Sequence, residues 1–212
     1  RILRINYRTT EQIRRFADSL VPGLTDDLNG GEEDRKGTRS LLRGPVPILR
    51  GFKRQADQVT FVLDQIQRLL GEGLEPTEIG VFVRSKGRLQ PLIDALRPAA
   101  IPIHQLAHAG TQRSHPGVNL GTMHRAKGME FKVCIILGVG QDEYPPSFML
   151  SNRDEAQWQE IIERHRRLLH VAMSRARDAL YLVGTGPGAT EMLDVAAELV
   201  DRPAETRIPK SH

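Results

Sequence analysis

Short apolar runs alternate along this chain with stretches whose apolar positions recur every three or four residues. "ILRI" (Ile2–Ile5) has the look of a strand, and Thr9–Val21 that of a helix whose inner stripe is Ile13, Phe16, Ala17 and Leu20. Thr9 and Thr10 are its candidate caps. Residues 22–45 carry turn formers and charges without a period and read as a mobile loop. A strand at Val46–Phe52 is followed by a helix at Gln55–Leu70 that turns Val59, Val62, Leu63, Ile66, Leu69 and Leu70 inward. "EIGVFVRS" is a strand ending in polar residues, and "GRLQPLIDALRP" a helix containing a Pro. Strands are expected at Ile101–Ile103, Val118–Thr122 and Phe131–Leu137, with a short helical turn between the last two. A charged helix over Glu155–Met173 buries Ile161, Ile162, Leu168, Leu169 and Ala172, "ALYLVG" closes the sheet, and residues 189–200 form a last helix before a polar tail.

Strand and helix in regular alternation predict an α/β fold, a mainly parallel sheet covered by helices on both faces. Ligands of such sheets gather beyond the carboxyl ends of the strands. Three polar clusters are expected there: "NYR" after the first strand, "VRSK" after the third and "TMHRAKGME" after the fifth.

Composition narrows the classes. A hydrophobic share of 39% and a charged share of 26% over 212 residues suit a water-soluble globular chain. The net charge of +4 permits a nucleic-acid partner, while 5% aromatic residues argue against binding by many stacked bases. The single Cys134 can form no internal disulfide, so a reducing cytoplasm is the expected compartment. No apolar stretch is long enough for a membrane helix. The chain opens on "RILRINYRTT" with neither an initiating Met nor a signal peptide, and it reads as a piece of a longer polypeptide.

The segment "TMHRAKGMEF" places Thr122, His124, Lys127, Gly128 and Glu130 immediately before an apolar strand. Lys127-Gly128 sets a cation beside a residue that lets backbone N–H groups approach a phosphate, whereas Glu130 suits a ribose hydroxyl better. A solvated turn closed by a capping Glu accounts for the same residues. Arg164 and Arg166 belong to a solvated helix face, but Arg175 comes at the helix end, just before the closing strand. There its planar fork is expected over the sheet's ligand-binding edge, suited to a phosphoryl group in transfer, with Arg8 similarly placed after the first strand.

Other signals are weaker. "GTGPGA" (Gly184–Ala189) fits a dinucleotide fingerprint, yet too little chain follows it for the rest of that unit. Asp142 and Glu143 lie in a loop beyond Leu137 rather than at a strand end as a magnesium site requires, and His104 and His108 have no Cys, Asp or Glu cluster beside them. No metal site is expected. Nowhere is there G-x-x-x-x-G-K-[ST], the loop that cradles nucleotide phosphates.

Taken together, four stretches resemble the motifs of superfamily 1 DNA helicases of the UvrD/Rep/PcrA type. "LRINYRTTEQIRRFADSLV" is similar to their motif IV, "GVFVRSKGRLQPLIDAL" to motif IVa, "VNLGTMHRAKGMEFKVCIILG" to motif V and "RRLLHVAMSRARDALYLVG" to motif VI. Their order matches the second RecA-like motor domain of that family. The resemblance implies a RecA-like fold without its own phosphate-binding loop over residues 1–188, followed by a C-terminal helix and tail over 189–212. It implies that Arg8 and Arg175 reach the ATP γ-phosphate across a domain cleft. Glu130 then holds the ribose, and Lys127 and Gly128 link the nucleotide to the DNA. Thr122 and His124, with Arg84 and Lys86, contact the single-stranded DNA backbone. ATP and Mg2+ are implied as cofactors, held mainly by an N-terminal RecA-like domain of the same polypeptide.

The sequence departs from that pattern at His170 and Ser174, where Tyr and Thr are usual, and at His165, where a Glu usually stands. Only a short connection joins Ile103 to Val118, where the larger helicases insert a subdomain. The expected function is the C-terminal motor domain of an ATP-dependent, 3′-to-5′ DNA helicase or translocase in a bacterial cytoplasm, inactive by itself. The alternative is a non-catalytic nucleic-acid-binding or regulatory module with the same fold; a dinucleotide enzyme using Gly184–Gly188 is a third. Arg8 and Arg175 are expected to be solvent-reachable and without a carboxylate partner.

Overall fold

The computed structural model describes residues 5–6, 8–21, 39–106, 116–141, 143–186, 193, 199 and 201. In chain order the elements are β1 (Ile5–Asn6), α1 (Glu11–Ser19), β2 (Arg39–Ser40), β3 (Ile48–Phe52), α2 (Gln55–Gly71), β4 (Ile79–Val83) and α3 (Leu89–Leu96). Then follow β5 (Ile103–Gln105), β6 (Val118–Thr122), β7 (Phe131–Leu137), α4 (Ser147–Leu150), α5 (Glu155–Met173) and β8 (Ala176–Thr185). Single 3-10 turns precede β4 (Pro76–Glu78), precede α3 (Lys86–Arg88) and follow β6 (Met123–Ala126).

Six strands form one sheet in the order β3-β8-β7-β4-β6-β5, and every pairing is parallel. A parallel sheet must be covered on both faces, so its inner strands are apolar throughout rather than alternating. All five residues of β4 are buried. Ile79, Val81 and Val83 pack with Val62, Ile66 and Leu69 of α2 and with Leu92 and Leu96 of α3. Phe82, Ile136, Leu180 and Leu182 point the other way, onto Ile13 and Phe16 of α1 and Ile162, Leu169 and Ala172 of α5. Burying each such side chain contributes about 1.5–3 kcal/mol, which makes these two layers the main support of the fold.

The periodicities locate β6, β7 and α5 residue for residue, and α1 and α2 to within two residues. Pro91 falls in the first turn of α3, where its missing N–H costs nothing. The strand expected at Ile101–Ile103 is displaced to Ile103–Gln105. The opening strand is corrected more substantially. Ile2–Arg4 lie outside the described residues, and Ile5–Asn6 join Arg39–Ser40 in a separate two-stranded ribbon, not the main sheet. Of the loop expected at 22–45, residues 22–38 lie outside the described residues, as does most of the helix expected at 189–200.

The caps of α1 also differ. Thr10 occupies the N-cap position without a side-chain cap bond. The Thr9 hydroxyl donates instead to Ala176 O at 2.6 Å, Thr10 N donates to Arg177 O at 3.0 Å, and Glu11 N donates to Leu42 O at 2.8 Å. Neighbouring backbone satisfies the helix start, fastening α1 to the first residues of β8.

Candidate functional site

The register of the sheet separates the candidate residues into two groups at opposite ends. Val83 of β4 pairs with Thr122 and with Leu137, so the end of β6 lies level with the end of β7. Phe131 pairs with Ala176, so Glu130 and Arg175 precede their strands at the amino end. At roughly 3.3 Å per residue, the length of β7 is about 20 Å. The segment 123–130 therefore runs back along the sheet from its carboxyl end to its amino end. Met123 and Ala126 are buried beneath α5 and anchor it, while His124, Lys127, Gly128 and Glu130 are exposed. Gly128 has φ +83°, a left-handed conformation that lets the chain turn out of the 3-10 coil.

At the amino end, Arg8 Nε lies 3.0 Å from Glu130 Oε1, with the two side chains 69% and 53% exposed. This overturns the expectation that Arg8 has no carboxylate partner. Arg175 is half-buried and held by the chain around it. Its Nε donates to Val171 O at 3.1 Å, and its terminal nitrogens donate to Met129 O at 3.4 Å and Ser174 Oγ at 3.2 Å. The guanidinium thus touches the 123–130 segment directly. Its place is a correction too. In a parallel sheet a residue that precedes a strand sits at the amino end, so Arg175 lies opposite the carboxyl edge where it was expected. Arg8 reaches the same end because Thr9 is bonded to Ala176. Arg177 is a nearby cation, its pKa raised first by its hydrogen bond to Asp178 and then by the charges of Asp178, Glu78 and Glu130.

Ser174 was noted only as a departure, yet its hydroxyl donates to Val171 O while accepting from Arg175, which orients the fork. His170 is buried, with Nε2 3.4 Å from Asp18 Oδ1, and ties α5 to α1. Both substituted positions keep a polar contact.

At the carboxyl end, Thr122 is half-buried and Lys86 exposed. Arg84 is less open than a backbone-tracking cation should be. One terminal nitrogen lies 2.8 Å from Met149 Sδ, and its buried Nε has no hydrogen-bond partner among the described residues. Buried His165 lies close by, its Nδ1 2.8 Å from Ile161 O and its ring edge-on to Tyr144. Burial above all, then the charges of Arg84, Arg164 and His124, lowers its pKa and favours the neutral imidazole.

Glu143 is structural. Its side chain is 7% exposed and accepts from Arg88, Gln58, Gly140 N and Thr185 N, joining the ends of β7 and β8 to α2 and α3. Asp142 lies outside the described residues. The backbones of Gly140 and Gly184 cross here: a Cβ on Gly184 would stand 2.3 Å from Gly140 N. Packing accounts for Gly184, then, while residues 187–189 of the fingerprint lie outside the described residues. His104 Nδ1 meets Asn119 Oδ1 at 3.1 Å, and His108 is not among the described residues. Among the described residues no group of three or more His, Cys, Asp and Glu could hold a metal ion, and no helix is long and apolar enough to cross a membrane.

Residues 103–185 match the model of the UvrD-like helicase C-terminal domain. A putative ATP-dependent DNA helicase YjcD of Bacillus subtilis is 42% identical over 82 residues, 37% of this chain and 10% of that protein. The ATP-dependent DNA helicase PcrA of Staphylococcus epidermidis is 33% identical over 93 residues, 44% of this chain and 12% of that protein. These alignments span about a tenth of each relative's length. The crystal structure of the C-terminal domain of a possible DNA helicase from a Lactobacillus superposes with a TM-score of 0.65 at 23% identity, covering 93% of this chain and 98% of that one. That likeness shows the fold, which is RecA-like. Arg8, Arg84 and Lys86 lie outside the matched residues, whereas Thr122, His124, Glu130 and Arg175 lie within them. Over residues 103–185, then, the chain is similar to the UvrD-like helicase C-terminal domain, and to that domain's fold beyond them.

Proposed function

We propose that residues 1–188 are the second motor domain of an ATP-dependent 3′-to-5′ DNA helicase or translocase, with residues 189–212 as its tail. The observation that supports this most is the course of the 123–130 segment. It begins among Thr122 and His124, ends at Glu130, and carries in Met129 the carbonyl that Arg175 holds. A strand of DNA bound at the carboxyl end and a nucleotide bound at the amino end therefore press on one continuous piece of backbone. Lys127 and Gly128, at its exposed bend, are the coupling residues.

The amino-end residues fit part of a nucleotide. Arg8 and Arg175 supply guanidiniums for the γ-phosphate, and Glu130 a carboxylate for ribose hydroxyls. ATP supplies the phosphoryl group, and this reading assigns magnesium and the β-phosphate to an N-terminal RecA-like domain of the complete helicase. The contribution of this chain is electrostatic. Two cations offset charge that develops on the phosphoryl oxygens, and Ser174 with the Val171 carbonyl holds Arg175 in orientation. At the other end Thr122, His124, Arg84 and Lys86 form part of a track for single-stranded DNA. The matched relatives are bacterial, and a bacterial cytoplasm is the compartment this reading implies.

The test is Arg175→Lys in the complete helicase. Lys keeps the charge but loses the fork that spans Val171, Met129 and Ser174, so DNA-stimulated ATP turnover should fall by about a thousandfold or more, with ATP affinity changed far less. Turnover near that of the unaltered enzyme defeats the assignment.

A further inference from the structure

The chain has six Phe, three Tyr and one Trp. Among the described residues the one large ring left open is Phe148, 72% exposed on α4. A single exposed apolar residue is ordinary on a protein surface, so its surroundings must carry the argument. The next residue, Met149, places its sulfur 2.8 Å from the Arg84 guanidinium. Arg84 directly follows Val83, whose sheet neighbour is Thr122, and Arg84 and His124 both act on His165. Pro145 and Pro146 stiffen the chain just before α4. Phe148 thus sits on a short turn, one residue from the Met149 contact with Arg84, near the carboxyl end of the sheet where Lys86, Thr122 and His124 also lie.

We propose that Phe148 is a stacking platform for one base of a single DNA strand whose phosphates lie along Lys86, Arg84, Thr122 and His124. The inference rests on reading that end of the sheet as a DNA track. Cations hold the backbone of a strand without regard to its bases, whereas a ring takes the face of any base. A ring beside cations is therefore what a sequence-neutral grip needs. One ring alone also agrees with the scarcity of aromatic residues: the chain stacks one base, not a run of them.

Fluorescence anisotropy of the 212-residue chain with oligothymidine, and with an abasic oligonucleotide of equal length and charge, separates the two contributions. Wild type should bind oligothymidine more tightly than the abasic strand. Phe148→Ala should weaken oligothymidine binding by about tenfold, to the level of the abasic strand, and leave abasic binding unchanged. The salt dependence should not move, because no phosphate contact is lost. Phe148→Trp should restore binding, with indole fluorescence quenched as oligothymidine is added. If Phe148→Ala binds both strands as wild type does, or weakens both equally, the stacking assignment is overturned while the track stands. If wild type binds neither strand, the track and the stacking assignment fall together.

Discussion

Glu130 and Glu143 both face arginines, in surroundings that give them different roles. Glu130 and Arg8 are more than half exposed, and such pairs contribute only about 0–1 kcal/mol, so a nucleotide can separate them at little cost. Glu143 is enclosed and serves four partners, which makes it part of the scaffold. His165 gives the residue scale its test. Its folded pKa is lowered, first by burial and then by Arg84, Arg164 and His124, so the unfolded chain takes up the proton first as pH falls. Stability from this group is complete above the ordinary histidine value of about 6.5, declines below it, and levels once the folded imidazole is itself protonated. The thermal midpoint should therefore be higher at pH 7.5 than at pH 5.5, measured by circular dichroism. His165→Gln should flatten that difference, whatever it does to the midpoint itself; an unchanged slope assigns the pH dependence elsewhere.

At the scale of elements, the stretch from Met123 to Glu130 owes its course to two buried anchors and one glycine. Met123 and Ala126 hold its first half under α5, and Gly128 turns the second half outward with φ +83°. A Cβ there would meet nothing within 4 Å, so the cost of Gly128→Ala is conformational rather than steric. It should be about 1–2 kcal/mol, seen as a fall of several degrees in thermal midpoint. In the complete helicase the same change should reduce DNA stimulation of ATP turnover while leaving basal turnover close to normal, since the bend lies between the two sets of contacts. Equal loss of basal and stimulated turnover would remove the coupling role from this bend.

For the whole molecule, the separation of the two ends of the sheet fixes what the chain can do alone. On the proposed reading it offers guanidiniums to a γ-phosphate, while its sequence contains no phosphate-binding loop. Purified by itself, it should release no phosphate from ATP, with or without DNA. Its affinity for single-stranded DNA should be weak and fall with salt. One exposed cation on a phosphate, Lys86, corresponds to a slope of about −0.7 in log affinity against log salt, and Arg84 adds to it only if it leaves Met149. A salt-insensitive titration would show that the contacts are not phosphate contacts, and phosphate release stimulated by DNA would show a nucleotide site complete within these residues.

The local pattern was enough to read most of the fold. Apolar runs such as "IGVFV" and "FKVCIIL" are hydrophobic on both sides because both faces of their strands are covered, and the stripe of α1 repeats because one side of a helix meets the core. Thr122, His124, Glu130 and Arg175 were singled out for another reason: they fall in short segments that resemble helicase motifs V and VI, and their roles there belong to the proposal made above. What the sequence left open was which distant segments meet. Ile5 has the composition of a sheet strand, but its partner is Arg39, a residue within a stretch without period. Arg8 and Glu130 are far apart in the chain, and the bonds from Thr9 to Ala176 and from Thr10 to Arg177 bring them to one end of the sheet. Arg175 was assigned to the wrong edge because helix and strand can be read locally, whereas which loops share an edge depends on the direction and order of all six strands. Periodicity is a property of neighbours in sequence; ion pairs and the openness of Phe148 are properties of neighbours in space, and folding alone decides those.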